Sequence, residues 1–126
     1  MNDKRISIRP VLGLVSKIKA ELFQNNTLRP ILKLQHGLIL NIVFHFCKKQ
    51  KIRILEIKSE SFQAEMMIII KKNQALRSQL LGIVIGQFTL EEYSEYTQKE
   101  TEYNKRILNM MAQRLTDSQS EFKSLN

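Results

Sequence analysis

A chain of 126 residues, 43% of them apolar and 25% charged, is enough for one domain around one core. Its single cysteine, Cys47, rules out an intrachain disulfide, and no run nears the ~20 apolar residues a helix needs to cross a bilayer. The net charge of +8 is uneven: residues 1–58 hold 12 Lys and Arg against 3 acids, and residues 59–126 hold 8 against 9.

Breakers are scarce. Pro10 and Pro30 are the only prolines, and no glycine follows Gly86. Such composition favours helix over many-turned β structure and predicts a mainly α fold. Residues 1–9 read as a basic arm or short strand, with Ile6 and Ile8 alternating with polar residues; with Asp3 the only acid before Glu21, this end loosely suits a transit peptide. From Val11 the apolar period becomes helical through Leu12, Val15, Ile18, Leu22 and Phe23, with Pro10 suited to the first turn. Gln24 to Thr27 is a polar break. Asn26 or Thr27 can cap a second helix, with Pro30 near its start and an apolar face of Ile31, Leu34, Leu38, Ile42 and Phe46. Apolar residues on nearly every side of 38–46 predict a deeply buried element. Gly37 there suggests a close helix contact. A short β element within 38–58 is the alternative, since short apolar runs fit either structure.

Beyond Ser59 the pattern is strongest. Phe62, Met66, Ile69, Asn73, Leu76, Leu80 and Ile83 are spaced 4, 3, 4, 3, 4, 3. This predicts one long helix with a coiled-coil seam for homo-oligomerisation. Asn73, the one polar seam residue, either fixes register and partner number or reaches solvent at the seam's edge. Gly86 to Thr89 then breaks the helix, with Gly86 suited to a left-handed C-terminus. Gly82 and Gly86 also suit close helix packing. Thr89-Leu90-Glu91-Glu92 fits a capping box, with Phe88 and Tyr93 placed for a hydrophobic staple. A second long helix follows, from Leu90 to about Leu115, with Tyr93, Tyr96, Tyr103, Ile107, Met110, Met111 and Leu115 on one face. A short connection between long helices makes an antiparallel αα-hairpin. The chain thus divides into a basic helical region, 1–58, a hairpin and oligomerisation region, 59–117, and a flexible tail, 118–126.

Little here suggests catalysis. His36, His45 and Cys47 are too few for a four-ligand zinc site, so neither metal nor cofactor is expected. Cys47 beside Lys48 and Lys49 has no general-base or glycine-loop partner. Glu91, Glu92, Glu95, Glu100 and Glu102 lie among Lys99, Lys105 and Arg106 as a solvated helix face, with Glu102–Arg106 an i,i+4 pair.

The basic half is the more informative feature. Lys4, Arg5 and Arg9 in the arm, and Lys48, Lys49, Lys51 and Arg53 in the densest basic stretch, suit contacts with phosphates. No zinc-finger or stacking motif supports base readout. The expected function is that of a noncatalytic, self-associating, nucleic-acid-binding accessory or regulatory protein, with DNA the favoured partner. The alternative is an adaptor, chaperone or inhibitor that docks on an acidic protein; a basic amphipathic segment at 4–23 also allows membrane-surface binding, the less favoured reading. One unpaired cysteine suits a reducing compartment, and so the cytoplasm.

Overall fold

The computed structural model describes residues 14–125, which form helices and turns without a strand. Helix α1 spans Leu14–Leu34. Its middle, Gln24–Leu28, is wound as a π-helix, in which the Arg29 N–H donates to the Gln24 carbonyl. Pro30 explains the wide turn: its ring has no N–H and crowds the carbonyl four residues back, and one extra residue in the preceding turn relieves both problems. The expected break at 24–27 is therefore a bulge within a continuous helix. The chain bends instead at Gln35, by 64°, into α2, His36–Lys49.

Helix α2 is amphipathic rather than buried all round. Ile39, Leu40, Val43 and Cys47 face the core, while Leu38, Asn41 and His45 are exposed. The possible β element within 38–58 is absent: α2 runs to Lys49, and 3-10 turns at Ile54–Glu56 and Ser59–Ser61 fill the rest. Gly37 meets no close neighbour where a Cβ would sit, nor does Gly82, so neither marks a tight helix contact.

Four helices follow: α3, Phe62–Lys72; α4, Gln74–Ile85; α5, Leu90–Gln98; and α6, Glu100–Asp117. Each long helix expected from the sequence is thus two. At Asn73 the backbone leaves the helical region (φ −112°, ψ 93°). Its side-chain amide donates to the Ile69 carbonyl at 2.7 Å, and Arg77 donates to the Lys71 carbonyl at 2.9 Å. Side chains thereby satisfy carbonyls that the broken helix frees. Asn73 thus donates within its own chain. At Lys99 a similar break (φ −146°, ψ 56°) is spanned by two tyrosines. Tyr96 Oη donates to Asn104 at 2.5 Å, and Tyr103 Oη donates to Glu95 at 2.6 Å.

The capping box forms as the sequence predicts. Glu92 N–H donates to Thr89 Oγ1 at 3.1 Å, and Thr89 N–H donates to Glu92 Oε1 at 2.8 Å. Thr27 Oγ1 donates to the other Glu92 oxygen at 3.1 Å, tying α5 to α1. Phe88 packs on Phe23 and Tyr96, with ring centroids 5.6 and 5.7 Å apart, in place of the Tyr93 staple. Gly86 keeps a right-handed φ of −62°.

Helix α3 packs chiefly on α6. Phe62, at the start of α3, lies 5.9 Å from Phe122, beyond the end of α6, as an antiparallel pair requires. The seam expected to oligomerise is consumed here. Phe62, Met66, Ile69, Leu76 and Leu80 are buried in the core with Tyr103, Ile107, Met111 and Leu115, while Ile83 and Asn73 are half-buried. Full burial is worth about 1.5–3 kcal/mol for each such apolar side chain. Offering them to a second copy would forfeit that; in this fold the seam packs within its own chain. The core is also continuous across residues 58 and 59, joining Leu32, Val43 and Ile54 to the hairpin.

The last residues are not a frayed tail. Gln119–Leu125 is a 3-10 helix whose Phe122 is buried against Phe44 and Phe62, and Gln119 donates to the Ile57 carbonyl at 2.7 Å. Phe122→Ala should therefore cost about 3–5 kcal/mol of unfolding free energy, read from urea denaturation. A frayed end would leave the midpoint unchanged.

Candidate nucleic-acid interface

Four of the expected phosphate contacts fall on one corner, where α2 ends. The end is a Schellman closure: Lys51 N–H donates to the Lys48 carbonyl at 3.2 Å, and Ile52 N–H to the Cys47 carbonyl at 2.7 Å. This forces Lys51 into the left-handed region, at φ 59°, the only non-glycine residue there among those described. Such a conformation costs a residue with a Cβ about 1–2 kcal/mol. Beyond it Ile54 is buried and Ile52 half-buried, anchoring the chain so that Arg53, between them, stands out. Ile52 and Ile54 thus alternate with Lys51 and Arg53, but in a turn rather than a strand.

Lys48, Lys49, Lys51 and Arg53 are all exposed. Lys48 and Lys49 complement the partial negative charge of the helix end. Lys51 and Arg53 lie past it and have no such role. Arg53 meets Glu56 at 3.5 Å, with both side chains largely in water. A pair so exposed is worth at most about 1 kcal/mol and yields readily to a phosphate. Lys48 and Arg53 also edge a shallow groove of about 290 Å³ floored by Phe44, Ile52 and Ile54.

Lys4, Arg5 and Arg9 lie outside the described residues. Lys17 and Lys19 are exposed on α1, flanking Leu14, Val15, Ile18 and Leu22, which are all about half-exposed. Thus the apolar stripe at the start of α1 faces outward, while Ala20 and Phe23 face the core. His45 and Cys47, two residues apart on a helix, point in different directions. Cys47 is fully buried, and burial pushes its thiol from an ordinary pKa of 9.0 up to about 11. Such a thiol is a packing group, not a nucleophile.

A second cluster was not signalled by the sequence. A cleft of about 830 Å³ runs between α1 and α6, lined by Arg29, His36, Arg106, Asn109 and Arg114 among others. Arg106 donates to Gln24 at 2.7 Å and to Glu102 at 3.3 Å, the latter being the expected i,i+4 pair. His36 pairs with Glu121 at 3.2 Å. A hydrogen bond from Ser118, and then one from His36, hold the Glu121 carboxyl below its ordinary pKa. Arg114 Nε is buried and donates to no described residue. An unpaired buried donor costs about 1–3 kcal/mol, more when charged. The sequence hid this cluster because Arg29 sits in the basic half and the other two arginines in the neutral half, where each reads as part of a solvated helix face.

Compared with known protein families, curated proteins and solved structures, the chain matches none.

Two measurements test this local picture. Lys51→Gly should stabilise the fold by about 1 kcal/mol in urea denaturation, because glycine takes the left-handed conformation without strain; Lys51→Ala, which keeps the Cβ, should not. The Cys47 thiol has a raised pKa in the fold, so the neutral form is favoured there. Its stability contribution is complete below pH 9.0, where both states hold the proton, and is lost as pH rises towards about 11. Urea midpoints taken across that interval should fall less steeply in Cys47→Ala than in the parent. Equal slopes would mean that the thiol is not the group responsible.

Proposed function

We propose that the protein is a noncatalytic nucleic-acid-binding accessory or regulatory protein that contacts phosphates through Lys48, Lys49, Lys51 and Arg53. The observation that carries this reading is Lys51. A Schellman position favours glycine or asparagine, yet a lysine stands there at a cost in stability. What it returns is a cation projected from the same corner as three others. Phosphate contacts of this kind fix position on a backbone without reading bases, so binding is expected to be general in sequence. The earlier expectation of self-association through the α3–α4 seam has no place in this proposal, because the seam is inside the core.

The test is fluorescence anisotropy with labelled duplex DNA and single-stranded RNA across a salt series. Binding should weaken steeply with salt. Changing all four residues to Ala should flatten the log–log salt slope by roughly 3–4, since each phosphate contact contributes about 0.9. The loss should be the same for unrelated DNA sequences. Absence of any binding at about 50 mM salt sinks the proposal.

The outward stripe on α1 supports a second reading, an adaptor docking on a protein. Leu14, Val15, Ile18 and Leu22 between Lys17 and Lys19 suit an apolar surface rimmed by acids. One protein recovered with the chain after nuclease treatment, and released by Ile18→Glu, would favour this reading over nucleic acid.

A further inference from the structure

The cleft between α1 and α6 gathers guanidiniums from two distant parts of the chain. Arg29 comes from α1, and Arg106 and Arg114 come from α6. The last two are eight residues apart, about 12 Å along the helix axis. Their states differ. Gln24 and Glu102 orient Arg106; Arg29 reaches Asn25 at 3.4 Å; and Arg114 keeps a buried Nε–H that donates to no described residue. A guanidinium is permanently charged, and its fork of N–H donors matches phosphate oxygens. The volume of about 830 Å³ lies within the roughly 300–1,000 Å³ of small-molecule sites.

The number of guanidiniums narrows the ligand class. Three of them on one cleft favour an anion that carries more than one charged group, and two linked phosphoryl groups supply it. Past Arg114 the cleft carries Asp117 and Glu121, the latter bound to His36 and within reach of the Arg114 charge. These carboxylates accept hydrogen bonds, which suits the donor-bearing ring of the same ligand. Asn109, between the two arginines, adds an amide that can both donate and accept.

We propose that this cleft binds a small ligand of the nucleoside diphosphate class, with its phosphoryl groups towards Arg29, Arg106 and Arg114 and its base towards Asp117 and Glu121. The site is separate from the basic corner. His36 opens α2 and Lys48 and Lys49 close it, about 20 Å apart along the axis.

Isothermal titration of the full chain with ADP, AMP, adenosine and pyrophosphate provides the test. ADP should bind saturably, one per chain. AMP should bind about ten-fold more weakly, and adenosine should give no signal. Pyrophosphate should also be weaker than ADP, because it lacks the ring. Arg106→Gln with Arg114→Gln should weaken ADP about ten-fold or more, while the variant with Lys48, Lys49, Lys51 and Arg53 changed to Ala should bind ADP normally. Thermal unfolding without ligand checks each variant. If the double variant does not fold, exposed Arg29→Gln carries the same test, with a several-fold loss expected. The proposal is overturned if ADP does not saturate, if adenosine binds as well as ADP, if pyrophosphate binds as tightly as ADP, or if the corner variant loses ADP while the cleft variant keeps it. DNA binding retained in the cleft variant would show that the two sites stand or fall separately.

Discussion

Two tyrosine hydroxyls hold the break at Lys99, and the placement of much of the fold follows from them. Tyr96 reaches forward across the break to Asn104, and Tyr103 reaches back to Glu95. The bonds run in opposite directions over the same residue, so α5 cannot swing without losing both. Burial, followed by the hydrogen bond to Glu95, raises the pKa of Tyr103, which keeps the donating proton in place at ordinary pH. With α5 fixed, Phe88 and Tyr96 close over Phe23, Glu92 meets Thr27, and α1 is held against α6. The Gln24–Arg106 contact, and the cleft around it, depend on that alignment.

Local chemistry was legible in the sequence wherever one short motif decided the outcome. The capping box at Thr89 and the Glu102–Arg106 pair need only neighbours three or four residues away, and both form. The helical character of the chain and the apolar identity of the α3–α4 face were also readable, because burial follows spacing. The interruptions at Asn73 and Lys99 were not. A single non-helical residue bends the axis yet leaves apolar residues in nearly the same order, so a count of spacings passes over it. The seam could not disclose its partner either: heptad spacing specifies a helix to pack on, and α6 of the same chain supplies one. Phe122 was missed for the opposite reason. One aromatic residue among polar neighbours gives no period to read.

Charge was read by halves, and that division served one site better than the other. The basic corner is local in sequence, so Lys48, Lys49, Lys51 and Arg53 stand out along the chain itself. Their distinguishing feature, the left-handed Lys51, does not, because the Schellman closure arises from carbonyls that α2 frees at its end. The arginine cleft needs α1 and α6 side by side, and no tally along the chain can show that. Near-neutrality of residues 59–126 thus concealed two cations that the fold turns towards a third.

The π-helical turn before Pro30 has a consequence for the helix upstream of it. A bulge is one residue more than the helix needs, and each residue turns an α-helix by about 100°. Everything from Leu14 to Phe23 is therefore phased one step away from the setting an uninterrupted helix would give. The outward face of Leu14, Ile18 and Leu22 is set by this phase as much as by composition: losing one residue between Gln24 and Leu28 would rotate the stripe by about a quarter-turn relative to Leu32 and the core. In this chain a proline's missing N–H, through the extra residue it demands, decides which apolar surface the protein shows to its surroundings.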